Sequence, residues 1–236
     1  MASPSLTIFL PCFNDEKTIG ELVSCADRVA KEFSSDYEIL VIDDGSKDGS
    51  PELLRQLETR YPRFRAIFHP ANQGYGAALQ SGFRHATKEW IFYTDGDGQY
   101  DLFEVRNLFP LMQDGVDWIN GYKISRKDPL YRIVAGDLYQ KVAQRLFRFR
   151  VQDVHCDFRA IRRRALQGFQ LRYTSGAICL ELVKKLEGTG IRAVDYPVHH
   201  YPRPYGRSQF FRVPRLWKTG LDLIRLWKEL KEEEKI

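Results

Sequence analysis

The sequence is poor in cysteine and has no long apolar run. Its four cysteines, Cys12, Cys25, Cys156 and Cys179, stand far apart, and none forms a Cys-x-x-Cys pair. That spacing argues against a disulfide framework or a cysteine-built zinc site and for reduced core thiols. No stretch reaches the ~18–20 apolar residues of a membrane-spanning helix. The opening Met1-Ala2-Ser3-Pro4-Ser5 lacks the basic region and apolar run of a signal peptide. The expected location is therefore cytoplasmic, free or peripheral on the inner face of a membrane. There is no repeat of fixed period. Acidic residues are outnumbered, giving a net charge of +5 and a pI of about 9.0. This suits a phosphate-bearing partner but does not choose among nucleic acid, a nucleotide and an anionic membrane surface.

What is present is a globular composition. The 236 residues with 43% hydrophobic content support one sizeable core and an appendage. Leu6 to Leu10 is a short apolar run ending at Pro11, which predicts a buried strand. Ile19, Leu22, Val23, Ala26, Val29, Ala30 and Phe33 then recur at helical spacing. Glu38 to Ile42 predicts a second strand, Pro51 to Arg60 a helix, and Phe64 to Phe68 a third strand. A glycine turn at Asn72-Gln73-Gly74-Tyr75-Gly76 precedes a helix over Ala77 to Ala86, and Trp90 to Thr94 predicts a fourth strand. Strands alternating with helices imply crossover units and a parallel sheet, with continuous apolar strands covered on both faces.

In an open parallel sheet, ligands bind beyond the carboxyl ends of the strands. Here those ends carry Pro11 to Asp15, Asp43-Asp44, and Asp95 to Asp97. Asp95-Gly96-Asp97 sets two carboxylates one residue apart on a glycine-relaxed turn. Such hard oxygen donors suit magnesium or manganese, which neutralises charge building on a departing diphosphate. A plain acidic turn would have the same residues, and the preceding apolar strand favours the site. Asp43 or Asp44 can accept hydrogen bonds from a ribose or base, or can belong to a helix-capping turn. Basic residues from Lys123 to Arg132 can hold an anionic acceptor or form a solvated face. In Asp153 to Arg159, Asp153 or Asp157 can anchor an acceptor, act as a base or form a buried ion pair. Arg162-Arg163-Arg164 reads as a surface run, and Arg203 to Ser208 as a loop over the site or a linker. From Val213 to Leu230, Leu216, Trp217, Gly220, Leu221, Leu223, Ile224 and Trp227 share a face flanked by basic residues. That pattern suits a membrane interface, the domain core or another subunit.

Together these motifs resemble inverting family 2 glycosyltransferases of the GT-A fold, over roughly residues 5–212. More narrowly, the chain is similar to the dolichyl-phosphate mannose synthase group of polyprenyl-phosphate glycosyltransferases. The resemblance implies a Rossmann-like α/β domain over residues 1–211, with a mostly parallel central sheet flanked by helices. A C-terminal amphipathic helix over 212–236 follows. It implies nucleotide binding by Pro11, Phe13, Asp15, Asp43 and Asp44, and a magnesium or manganese ion on Asp95 and Asp97 assisted by Gln99. It places Lys123, Arg132, Arg203 and Ser208 at the acceptor, with Asp157 as the first candidate for a base. The implied partners are a nucleotide-sugar donor, of GDP-mannose or UDP-glucose type, and a polyprenyl-phosphate acceptor, with no nucleic acid. A soluble or cell-envelope sugar acceptor and a non-catalytic nucleotide-binding module are the alternatives. The absence of a Gln-x-x-Arg-Trp motif disfavours a processive polysaccharide synthase.

Overall fold

A computed structural model describes residues 3–126, 141, 143–191, 193–205 and 213–233, with backbone alone at 125, 126, 213–216 and 233. Seven strands form one sheet in the order β3-β2-β1-β4-β6-β5-β7. They are β1 (Leu6–Cys12), β2 (Tyr37–Asp43), β3 (Phe64–Phe68), β4 (Trp90–Thr94), β5 (Trp118–Arg126), β6 (Phe158–Arg162) and β7 (Ala193–His200). The first four are parallel to one another, β6 runs antiparallel to both of its neighbours, and β5 and β7 pair in parallel.

The helices are α1 (Glu16–Phe33), α2 (Ser50–Arg60), α3 (Tyr75–His85), α4 (Ile178–Gly188) and α5 (Val213–Glu233). A 3-10 stretch covers Leu102–Leu111. The sheet is buried on both faces, and strand alternation sorts its side chains into two cores. Leu6, Ile8, Leu10, Ile39, Val41, Trp90 and Phe92 pack with α1, α2 and the 3-10 stretch. Phe9, Leu40, Ile42, Ile91 and Tyr93 pack on the opposite side with α3, α4 and α5. All seven β1 residues are buried, which explains their unbroken apolar pattern.

Pairing of β1 with β4 ends at Phe9 and Tyr93, whereas pairing of β1 with β2 continues to Cys12 and Asp43. The chain therefore opens between β1 and β4, where the strand order reverses. That is the crevice in which an open α/β sheet takes its ligand.

Two expectations are revised. Arg162 is no surface residue: it is 6% exposed at the end of β6. Its guanidinium donates to the Val116 and Gln113 carbonyls, pairs with Glu89 and lies 4.9 Å over the Trp90 ring. The last helix is not a single apolar face. Leu226 is buried, and Leu223, Trp227 and Leu230 pack on the second core. Thr219 and Asp222 also turn inward, because Asp222 accepts a hydrogen bond from Ser175 Oγ at 2.8 Å. Trp217, Leu221 and Ile224 face out instead. Among the described residues, no helix is long and apolar enough to cross a membrane.

Candidate active site

The rim of the crevice is braced by hydrogen bonds between the loops after β1 and β2. The Asp44 amide donates to the Cys12 carbonyl at 2.9 Å. Asn14 adopts a left-handed φ of 57°, its amide donates to Ser46 Oγ, and its side-chain oxygen accepts from the Lys47 amide, both at 2.8 Å. Across the same seam the Glu16 amide donates to Asp48 Oδ2 and the Glu16 carboxylate accepts from the Gly49 amide, both at 3.1 Å.

The neighbouring aspartates Asp43 and Asp44 have different surroundings. Asp44 is spent on structure: it accepts from the Gln73 and Gly74 amides at 2.9 Å, and its Oδ1 lies 2.8 Å from His69 Nδ1. His69 reaches on to Ser81 of α3. Asp44 thus positions the loop into α3, the role a bare strand-end aspartate could not reveal. Asp43 is 2% exposed, and one of its oxygens accepts from the Ser46 amide. Its Oδ1 is buried and has no hydrogen-bond partner among the described residues. A buried acceptor in that state is free to take a hydrogen bond from a further donor. Burial also raises its carboxyl above the usual range.

Asp95-Gly96-Asp97 follows β4 on the other side of the crevice. A side chain at Gly96 would put a carbon 2.4 Å from the Pro11 carbonyl oxygen, so only glycine lets the two strand ends approach. Thr18 Oγ1 of α1 fixes the Gly96 carbonyl at 2.8 Å. Asp95 Oδ1 accepts from the Tyr75 hydroxyl at 2.8 Å, and Asp97 Oδ1 accepts from the Gln99 amide at 3.1 Å. Both carboxyls are raised above the ordinary value, chiefly by burial. For Asp95, the negative charges of Asp157 and then Asp97 push in the same direction.

Crowded buried carboxylates that disfavour one another's charge are a fitting seat for a divalent cation. Among the described residues no three such side chains converge as a complete metal cage. Two aspartates with the remaining positions left to phosphate oxygens and water is the arrangement magnesium-type ions take at nucleotide sites. The Gln99 amide nitrogen donates to the Tyr201 carbonyl at 3.0 Å.

Arg203, expected at the acceptor, lies beside Asp15 and Asp97 on the rim. Its Nη2 donates to Asp15 Oδ1 at 2.7 Å, and its Nε lies 3.8 Å from Asp97 Oδ2. Asp15, held by the Phe13 amide at 3.1 Å, has its carboxyl raised by burial to about 6.

Behind Asp95 lies a buried polar hub, in which the segment Asp153 to Arg159 forms the buried ion pair that was one of its readings from sequence. Arg159 is fully buried and donates to Asn120 Oδ1, the Tyr93 hydroxyl, the Val154 carbonyl and Asp157 Oδ1 at 2.6–3.1 Å. Asp157 also lies 3.4 Å from Cys179 Sγ. Lys123 is bound to the His155 carbonyl at 2.6 Å and lies 3.5 Å from Asp153. Pro11 is the penultimate residue of β1 and Phe13 follows the strand, so both lie on the rim. Arg132 and Ser208 lie outside the described residues. Tyr75 and Tyr93 are contacts that no motif marked. The only sequence signal for Tyr75 is its position between two glycines at the start of α3.

The family description Glycosyl transferase family 2 matches residues 7–169, more than half of the chain. The chain belongs to this family. Solved structures with the same fold agree with family 2 membership. A mannosyltransferase from Pyrobaculum calidifontis in complex with GDP-Man and Mn2+ superposes with a TM-score of 0.68 at 20% identity, over 95% of this chain. The chain spans 65% of that protein's length. Mannosyl-3-phosphoglycerate synthase from Rubrobacter xylanophilus gives 0.69 at 14% identity, covering 99% of this chain and 76% of that one. Glucosyl-3-phosphoglycerate synthase from Mycobacterium tuberculosis, with Mn2+, UDP and glucosyl-3-phosphoglycerate, gives 0.63 at 18% identity. It covers 94% of this chain and 77% of that one. At these identities the likeness speaks for the fold of this family 2 chain.

Proposed function

We propose that this protein transfers a hexose from a nucleotide sugar to the phosphate of a polyprenyl phosphate, with inversion at the anomeric carbon. The rim of Pro11, Phe13, Asp15 and Asp43 takes the nucleoside, with the open oxygen of Asp43 accepting from the base or ribose. Asp44 supports that rim from beneath. Asp95 and Asp97 hold a magnesium or manganese ion, as the Mn2+ in the Pyrobaculum and Mycobacterium complexes suggests by analogy. When bound, the ion stabilises the negative charge of the leaving nucleoside diphosphate. Tyr75 orients Asp95 by its hydrogen bond, and the Arg159 hub fixes the floor on which the sugar would sit.

The observation that carries the acceptor class is the state of Asp157. A hydroxyl acceptor needs a base to remove its proton. Asp157, the first candidate, is already engaged: its Oδ1 accepts from the Arg159 guanidinium at 3.1 Å and lies 3.4 Å from Cys179 Sγ. An acceptor phosphate arrives already ionised and needs no such help.

The lipid form of that phosphate rests on α5. Trp217, Leu221 and Ile224 recur at helical spacing and are 73%, 42% and 55% exposed. Leu146 beside them is 49% exposed. An apolar groove of about 250 Å³ leads inward from Leu146 and Ile224 past Phe147, Leu180 and Trp227. Exposed Lys218, Arg225 and Lys228 accompany the stripe. A basic-flanked apolar stripe suits the surface of an anionic membrane, which would make the protein peripheral on that membrane.

A soluble phosphorylated acceptor is the second reading, because two of the structural neighbours are phosphoglycerate glycosyl synthases. A panel of GDP-mannose and UDP-glucose with Mn2+ or Mg2+ distinguishes the two. Each donor is offered polyprenyl phosphate in vesicles or 3-phosphoglycerate in solution. The expected product is a β-linked glycosyl phospholipid from an α-linked donor, seen by NMR at the anomeric carbon. Transfer to 3-phosphoglycerate alone would overturn the lipid assignment.

A further inference from the structure

The cation site already contains a positive charge belonging to the protein. Arg203 reaches from the segment after β7 to lie between Asp15, after β1, and Asp97, after β4. These two acids come from opposite sides of the crevice, and the charge of Asp97 disfavours that of Asp15. The Arg203 side chain is 20% exposed, so the pair is shielded from water on most sides. Its segment is anchored where the Tyr201 amide donates to the Gln99 carbonyl at 2.8 Å, two residues beyond Asp97. Lys17 of α1 lies 5.6 Å from the Tyr205 ring on the far side of the same segment.

We infer that Arg203 is a resident stand-in cation: it neutralises Asp15 and Asp97 in the donor-free protein and passes to the diphosphate when donor and metal enter together. This rests on the reading of Asp97 as a metal ligand. The physical reason is charge balance. Without a cation, the carboxylates at the mouth repel one another in a low-dielectric crevice, and a guanidinium between them relieves that repulsion. A divalent ion satisfies Asp97 better, and the planar fork of an arginine then pairs naturally with phosphate oxygens. The arrangement makes bare metal compete with Arg203 while nucleotide-bound metal recruits it. Donor and metal are thereby favoured as a unit, and the ion alone is disfavoured.

The test compares wild type, R203Q, R203K and D97N, following Mn2+ by electron paramagnetic resonance without turnover. R203Q should bind Mn2+ alone about threefold to tenfold tighter than wild type, because a competing charge has gone. The same variant should bind Mn2+ with GDP or UDP several-fold more weakly, while R203K stays near wild type in the first measurement. A merely structural role would move both affinities in one direction. Equal or weaker binding of Mn2+ alone in R203Q overturns the inference, as does undiminished binding of the Mn2+–nucleotide pair. If wild type and D97N bind Mn2+ equally poorly, the metal site itself is wrong and the inference falls with it. Circular dichroism and thermal melting of each variant separate these results from misfolding.

Discussion

The two halves of the sheet solve the same burial problem by different means. In β1, β2 and β4, the strands are covered by helices and filled almost wholly with apolar side chains. In β6 and β5, the middle of the sheet accommodates Arg159, Arg162 and Asn120, each kept in register by hydrogen bonds to named partners. The first half is stabilised by area removed from water, which tolerates small changes of shape. The second depends on complete pairing of buried polar groups, which tolerates the loss of none. The proposed function follows the division: the rim proposed to take the donor sits on the apolar half, and the floor of that site sits on the polar half.

The contrast can be broken experimentally, and the largest effect is expected on the rim. D97A should reduce metal-dependent transfer by about a thousandfold or more, on the scale set by removing a charge-stabilising group from an active site. Its thermal midpoint should not fall, because the carboxyl it removes is disfavoured by burial in the folded state. Normal turnover in D97A would remove the rim from the chemistry. R159M should do the reverse and act on stability first. Loss of a buried charge and its four partners, with Asp157 left uncompensated, should cost about 3–5 kcal/mol in urea unfolding. An unchanged midpoint would show that the polar half is not held by its pairing.

A smaller loss sharpens the junction between the halves. A carbon added at Gly76 would lie 2.3 Å from the Tyr173 carbonyl oxygen. G76A should therefore shift the start of α3 and lower stability by roughly 1–3 kcal/mol. Wild-type stability in G76A would mean that this approach relaxes without strain. On the outer face, replacing Trp217, Leu221 and Ile224 together by serine should weaken binding to anionic vesicles by about tenfold or more. Folding should be kept, because Leu226 and its inward neighbours remain. Equal sedimentation with vesicles would end the membrane assignment.

The smallest effect concerns pH. Burial raises the Asp15 carboxyl from 3.8 to about 6, so the folded chain holds a proton there that the unfolded chain has released. Stability from this group is therefore fully present below the unfolded value and declines as pH rises through about 6. D15N should flatten that slope in denaturation curves collected between pH 4 and 7. An identical slope would mean another group titrates in its place.

The same contrast explains what could be read from residue order alone. The first four strands and the acidic turn after β4 were legible because fully covered parallel strands leave continuous apolar runs that stop abruptly at acidic ends. The match went no further than position, however. That Asp44 serves the loop into α3 while Asp43 keeps an open oxygen depends on His69 and the Gln73 and Gly74 amides, which are remote in sequence. β6 escaped because Phe-Arg-Ala-Ile-Arg carries two arginines in five residues, the composition of a surface run, when both arginines are in fact buried. Arg203 was assigned to the acceptor from its neighbours in the chain, and only the fold brings it to Asp15.

The seam joining Asn14 and Glu16 to Ser46, Lys47 and Asp48 has a bearing on how the enzyme could change its donor. On the proposed reading, a nucleoside would meet a mouth whose contour exists beforehand, so little motion would be frozen at capture and modest contacts would suffice. The same interlock makes the contour a joint property of two loops. Swapping the preferred base would then require matched changes on both, and single replacements on either should loosen grip on every nucleotide before they shift choice among them.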